Sequence, residues 1–263
     1  VGKIDYLVIE STYGDREHFG ADNVKKQIAD VINEAKEKGG NIVIPSFALE
    51  RSQEILFYIK ELLIDDAIPH LIIFLDSPMA ARVTEIFRHH EDLFDEETQA
   101  MLMEHNSPFD LAELKVTTTS EESKAINHIK GTVVIIAGSG MCTGGRIKHH
   151  LVNNISRKES TIMFVGYQAV GTLGRIIVDG AKKVRILGEE YKIKAKVVQI
   201  EGLSAHADRN EMLKWLKNFK SPPKQIFLVH GEAESAQAFG AFLRGKTGWQ
   251  ISIPAYEEQV VLE

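Results

Sequence analysis

The chain is 263 residues long, with 31 lysines and arginines against 37 aspartates and glutamates, and a formal net charge of −6. That balance excludes a polycation gripping nucleic acid by bulk charge, so any phosphate-bearing ligand must be drawn by a local patch or an enclosed cleft. The apolar runs, such as Leu71 to Leu75, are too short to span a bilayer, and the lone Cys142 rules out an internal disulfide and suits a reducing cytoplasm. No membrane association is expected. Val1 is not an initiator methionine and strand-like sequence starts by Ile4, so the chain is expected to be part of a longer protein.

In chain order, Ile4 to Ile9 is an apolar strand ending in Glu10-Ser11-Thr12-Tyr13-Gly14. A helix over about 23–38 carries Val24, Ile28, Val31, Ile32 and Ala35 on one stripe and stops at Gly39-Gly40. Asn41 to Pro45 is the next strand, with Ser46-Phe47-Ala48 as its terminal loop. Arg51 to Leu63 is helical, with Ile55, Leu56, Ile59, Leu62 and Leu63 facing inward. Leu71 to Leu75 is a strand leading into Asp76-Ser77-Pro78-Met79-Ala80, either a phosphate or metal site or a strand-terminal Asx turn. Residues 91–130 are charged and irregular, and short helices around a loop are expected there.

Thr132 to Ile136 and Thr161 to Val165 are two further buried strands. The first opens into the glycine-rich loop Gly138 to Arg146, whose N–H groups are placed to meet a phosphate. Its spacing does not fit a dinucleotide fingerprint. Lys182 to Leu187 and Tyr191 to Ile200 read as a hairpin joined at residues 188–190. Lys192, Lys194 and Lys196 alternate along it, either protecting a half-buried strand or, with Lys182, Lys183 and Arg185, meeting a polyanion. Gly202 then leads to Ser204-Ala205-His206-Ala207-Asp208. Asp208 and Glu211 form a capping box for a helix with Met212, Leu213, Trp215, Leu216 and Phe219 on one face. Gln225 to Val229 is a strand ending in His230-Gly231-Glu232, followed by a helix over about 234–243 and a last strand or hairpin from Gln250 to Leu262. Continuous apolar strands between amphipathic helices predict an α/β fold with a doubly wound, mostly parallel sheet.

Glu10, His206 and His230 each follow an apolar strand, the place where open α/β sheets bind ligands. If the strands are neighbours, a carboxylate and two imidazoles share one crevice. The carboxylate then orients an imidazole for acid–base work, and the second histidine suits a metal ligand. Three such groups are too few for a two-metal site, and no HxHxDH run occurs among the ten histidines.

Glu10 to Gly14, Ser204 to Asp208 and Val229 to Glu232 resemble motifs A, B and C of the β-CASP branch of the metallo-β-lactamase superfamily. Ser46 to Gln53, Asp76 to Ala80 and Ser139 to Arg146 resemble further segments of that family, in the family's order. It contains RNA-processing nucleases, and the likeness is greatest to bacterial and archaeal homologues of the pre-mRNA 3′-end endonuclease. The resemblance implies that residues 16–198 are the β-CASP domain. Residues 1–15 and 199–263 would then belong to the metallo-β-lactamase core, the latter as its carboxyl-terminal part with motifs B and C. It implies His206 as proton donor, Glu10 as its partner and His230 as a zinc ligand. Ser204, Ser139, Gly140, Arg146, Ser46 and Arg51 would bind phosphate or RNA. It further implies two zinc ions in the complete protein, single-stranded RNA as substrate, a cytoplasmic location and a homodimer as one open assembly. The chain alone is expected neither to hold zinc tightly nor to cleave RNA. A catalytically inactive RNA-binding or scaffolding relative and an unrelated nucleotide-binding α/β protein are the alternatives.

Overall fold

The computed structural model describes residues 2–18, 24–200 and 202–263, which divide into two compact units, residues 1–19 with 204–263 and residues 20–203. Among the described residues no helix is long and apolar enough to cross a membrane.

The larger unit is built on six parallel strands: β2 (Ile42–Pro45), β3 (Ile72–Asp76), β4 (Leu114–Val116), β5 (Val133–Ala137), β6 (Thr161–Val165) and β9 (Lys196–Ile200). Their order is β4-β3-β5-β2-β6-β9. The doubly wound, mostly parallel architecture is as expected. Alternation along each strand divides the apolar residues between two faces. Ile42 and Ile44 of β2 pack with Ile28 and Ile32 of α1 (Val24–Lys38) and Ile55 and Ile59 of α2 (Arg51–Ile64). Val43, between them, joins Ile135, Phe164 and Leu151 of α6 (Ile147–Asn154) on the other side. Each fully buried isoleucine of this kind contributes about 1.5–3 kcal/mol, which is why β2, β5 and β6 carry no polar alternation.

The expected α1 stripe is the set of residues that the helix buries. Its stop is also as read: Gly40 N–H donates to the Ala35 carbonyl and Gly39 N–H to that of Lys36, with Gly39 at φ 69°. Helices α3 (Pro78–His89), α4 (Glu96–His105), α5 (Ser120–Ala125) and α7 (Leu173–Val178) complete the layers.

Three expectations change. Tyr191 to Ile200 is not one strand: β8 (Glu189–Lys192) pairs antiparallel with β7 (Lys183–Ile186), and β9 leaves to pair parallel with β6. Lys194 and Ala195 N–H both donate to the Ile155 carbonyl, a docking that breaks the run in two. Within residues 91–130, the three-residue β4 adds an edge strand too short to show a pattern. The last strand shrinks to β11 (Ile251–Ser252), because Pro254 closely follows and has no N–H for a ladder.

The smaller unit carries β1 (Tyr6–Glu10), β10 (Gln225–Val229) and β11 as a parallel sheet in the order β1-β10-β11. Helices α8 (Arg209–Leu216) and α9 (Ala233–Thr247) cover it through Leu213, Leu216, Phe239 and Leu243, which pack on Ile9, Ile226 and Leu228.

Candidate active site

The register Glu10↔Val229 places the carboxyl ends of β1 and β10 side by side, so the residues that follow each strand emerge together. The loop after β1 is fastened residue by residue. Ser11 Oγ donates to the Val229 carbonyl (2.9 Å) and Thr12 Oγ1 to that of His230 (2.9 Å). Ser235 Oγ donates to the Ser11 carbonyl at 2.7 Å. Tyr13 is buried and bridges to Asp208, the N-cap of α8. The expected capping box forms: Asp208 Oδ1 accepts from Asn210 and Glu211 N–H, and Glu211 Oε2 accepts from Asp208 N–H. Burial alone would raise the Asp208 pKa, but N–H donors from Glu211, His18 and Asn210 outweigh it and hold the carboxyl below its usual range.

These fastenings bring Glu10, His206 and His230 together. Glu10 Oε2 lies 2.5 Å from His206 Nδ1, and the two imidazole rings are 5.3 Å apart between centroids. One ligating atom from each of the three lies within 4.8 Å of the others. The hydrogen bonds assign the ring protons. His206 Nδ1–H donates to Glu10, leaving Nε2 outward. The Thr12 hydroxyl proton is committed to the His230 carbonyl, so its oxygen, 3.3 Å from His230 Nδ1, accepts from that nitrogen. His230 Nε2 is then left with a free lone pair, the form a metal takes. The His230 imidazole fits the nitrogen donor preference of zinc, and the Glu10–His206 pair lies within 4.8 Å of it.

Two supporting residues lie outside the expected set of site residues. His18 Nε2 donates to the His206 carbonyl (2.8 Å) and its ring packs edge-on to Tyr13. Thr12 governs His230 through the bonds just described. Gly231 is required sterically: a Cβ there would lie 2.3 Å from Ser11 Oγ and 2.7 Å from the Ser11 carbonyl oxygen. Gly231→Ala should therefore lower stability by about 1–3 kcal/mol and displace His230, read as a fall in the urea midpoint and a shifted His230 ring resonance. An unchanged midpoint would show that the strand ends are not held this closely.

Of the residues expected to meet phosphate, Ser204 lies in this unit, where its Oγ accepts from His206 N–H at 3.2 Å. Ser46, Ser139 and Arg146 of the larger unit line one cavity of about 400 Å³, together with Phe47 and Met79. Gly140 packs against the Phe47 ring, where a Cβ would come within 2.8 Å. Several polar groups there are engaged internally. Ser46 is buried and bonded to Ser52, and Ser139 Oγ accepts from Thr143 and Gly144 N–H, while Arg51, which does not line this cavity, pairs with Glu54. The Arg146 guanidinium donates to Asp76 (2.7 Å) and to the Thr117 and Thr118 carbonyls. Asp76 is neither an Asx turn nor an open ligand site. Its carboxylate is buried and also accepts from Ser123 Oγ, Thr117 Oγ1 and His150 Nε2. The lysine face is partly neutralised, with Lys183 paired to Glu190 and Lys196 to Glu34.

Against known proteins, residues 52–177 match the Beta-Casp domain and residues 190–254 match the Zn-dependent metallo-hydrolase RNA specificity domain. Ribonuclease TTHA0252 of Thermus thermophilus is 39% identical over 256 residues, covering 97% of this chain and 58% of that protein. The chain belongs to the β-CASP family of the metallo-β-lactamase superfamily. An RNase J-like protein of Methanocaldococcus jannaschii is 31% identical over 259 residues, 97% of this chain and 58% of its own length. The transcription termination factor FttA of the same organism is 31% identical over 261 residues, 96% of this chain and 41% of the factor. The β-CASP chain thus spans between two fifths and three fifths of these relatives.

Proposed function

We propose that this chain works within a metal-dependent ribonuclease that hydrolyses RNA phosphodiester bonds during RNA processing or decay. The observation that carries the reading is the gathering of Glu10 and His230, at the ends of two adjacent strands, with His206 from the turn before α8, its Nδ1 on Glu10. Its relatives named as ribonucleases, and the RNA specificity domain over residues 190–254, support RNA as the substrate.

In this reading His206 is the general acid. In its protonated form it donates Nδ1–H to Glu10 and passes the proton on its outward Nε2 to the leaving oxygen as the P–O bond breaks. The His18 bond to the His206 carbonyl limits swing of that ring. His230 offers Nε2 to a zinc ion. Zinc, when bound, supplies an activated water and spreads charge on the phosphoryl oxygens. These donors are short of a two-zinc set, so the other ligands are proposed to come from sequence outside these 263 residues. Single-stranded RNA is favoured because a chain of net charge −6 must take its substrate in a cleft rather than on a basic face. Ser204 is proposed to contact phosphate in the smaller unit, and the backbone of the Ser139-Gly140 loop is proposed to do so in the larger.

The test is cleavage of end-labelled single-stranded and duplex RNA by the full-length, zinc-loaded protein, with and without chelator. Chelator-sensitive cleavage of the single strand is expected. Salt-sensitive binding without cleavage would favour the RNA-binding or scaffolding alternative instead.

A further inference from the structure

The β7–β8 hairpin plays no part in the site above, yet it and the loop beside it gather positive charge. Residues 155–160 and 182–194 hold seven lysines and arginines against three glutamates, in a chain of net charge −6. Val184 and Ile186 turn inward and join the core with Ile155 and Ile177. Alternation then sends Lys183 and Arg185 to the outer face, and the register Lys183↔Lys192 and Arg185↔Glu190 sets Lys192 and Glu190 across from them. Two lysines therefore stand directly opposite each other, which destabilises a strand pair unless an anion answers them. Glu190 pairs with Lys183 at 2.7 Å, and Arg185 Nε donates to the Gly188 carbonyl at 2.8 Å. Lys192 has no carboxylate partner among the described residues, and neither have the exposed Lys182 and Lys194. Ser156 Oγ donates to the Lys192 carbonyl (2.7 Å) and Lys194 N–H to that of Ile155, which fastens the loop carrying exposed Arg157 and Lys158 beside the hairpin. Protecting an edge calls for charge along it, not for like charges set against each other across a ladder.

We propose that this face binds the phosphate backbone of RNA, as a holding point additional to the groups around Glu10, His206 and His230. The proposal rests on the ribonuclease reading above. A phosphate would supply the anion that Lys192 lacks, and Lys182, Lys194, Arg157 and Lys158 would extend the contact to neighbouring phosphates. An acidic chain has to draw RNA through a local patch of this kind. The four outward residues of the ladder, Lys183, Arg185, Glu190 and Lys192, are all charged, so the face offers none of the apolar anchors on which protein partners depend. A strand carrying one charge per nucleotide needs no such anchor and matches cations drawn from separate segments. Backbone contacts carry no sequence information, so the face adds affinity rather than specificity.

The test is binding of polyuridine to the full-length protein, followed by fluorescence anisotropy across a salt series, with phosphorothioate linkages to prevent cleavage. Lys192→Glu and Lys194→Glu should each weaken binding about fivefold or more and lower the salt slope by about 0.7, the loss of one single-strand phosphate contact. In cleavage assays the same variants should raise KM and leave kcat unchanged. The urea midpoint of Lys192→Glu should not fall, because the introduced carboxylate faces Lys183. Unchanged affinity and slope would overturn the proposal, as would an equal loss in Lys246→Glu, the same charge change placed on α9. Tighter binding of polyglutamate than of polyuridine would overturn it in favour of an acidic protein partner. Salt-sensitive binding that the hairpin variants weaken, without chelator-sensitive cleavage by the wild type, would support this face and strike the ribonuclease reading instead.

Discussion

Replacing His206 with alanine should lower RNA hydrolysis by the full-length, zinc-loaded protein by about 10²- to 10⁴-fold while leaving its zinc content unchanged. The range is that of a lost general acid. The unchanged zinc follows from the proposed role: His206 Nδ1 meets Glu10, and its Nε2 is proposed to serve the leaving group rather than a metal. His230→Ala should do the opposite, lowering zinc content itself, because the Thr12 contact leaves His230 Nε2 as the lone-pair nitrogen. Elemental analysis beside single-turnover cleavage separates the two. Near-normal cleavage by His206→Ala would sink the proton-donor role, and loss of zinc from that variant would make His206 a ligand.

Asp76→Ala should cost about 3–5 kcal/mol of stability, read as a lower urea midpoint, because it leaves buried partners uncompensated. Asp76 has no exposed surface. It binds Arg146 at 2.7 Å, His150 at 2.5 Å and Ser123 at 2.5 Å, with Thr117 as a further donor. Those partners come from the loop after β4, from α5 and from α6 with its approach, so one carboxylate joins several crossovers at the ends of the strands. Burial by itself would raise the Asp76 pKa. The donors from His150, Ser123, Thr117 and Arg146 outweigh it and hold the carboxyl well below its ordinary 3.8. A folded pKa depressed below the unfolded value contributes stability above the unfolded value and loses it as pH falls further. Wild-type stability should therefore drop as pH descends below about 3.8, and Asp76→Ala should flatten that drop. An unchanged midpoint would show that the network is dispensable.

Much of the fold is legible locally. Val24, Ile28, Val31, Ile32 and Ala35 recur at helical spacing and are the residues α1 buries. Asp208 and Glu211 lie three apart and cap α8 reciprocally. Such signals depend only on neighbours along the chain. The hairpin of Lys182 to Tyr191 forms, but reading Tyr191 to Ile200 as one strand misled because Ile193, Ala195 and Val197 alternate in one register. What splits them is the Ile155 carbonyl, some forty residues earlier. Asp76 was ambiguous for the same reason, since its four side-chain donors lie 41 to 74 residues away.

The sequence by itself determined that a carboxylate and an imidazole end two apolar strands and that a second imidazole precedes a capped helix, because polarity patterns, strand termini and caps are local properties. Only the tertiary structure decided that β1 and β10 are neighbours, that Glu10 takes His206 Nδ1 and Thr12 takes His230 Nδ1, and that His18 braces His206 from behind. Ring tautomers are set by hydrogen bonds between residues nearly two hundred positions or more apart, and no spacing along the chain encodes which donors will meet.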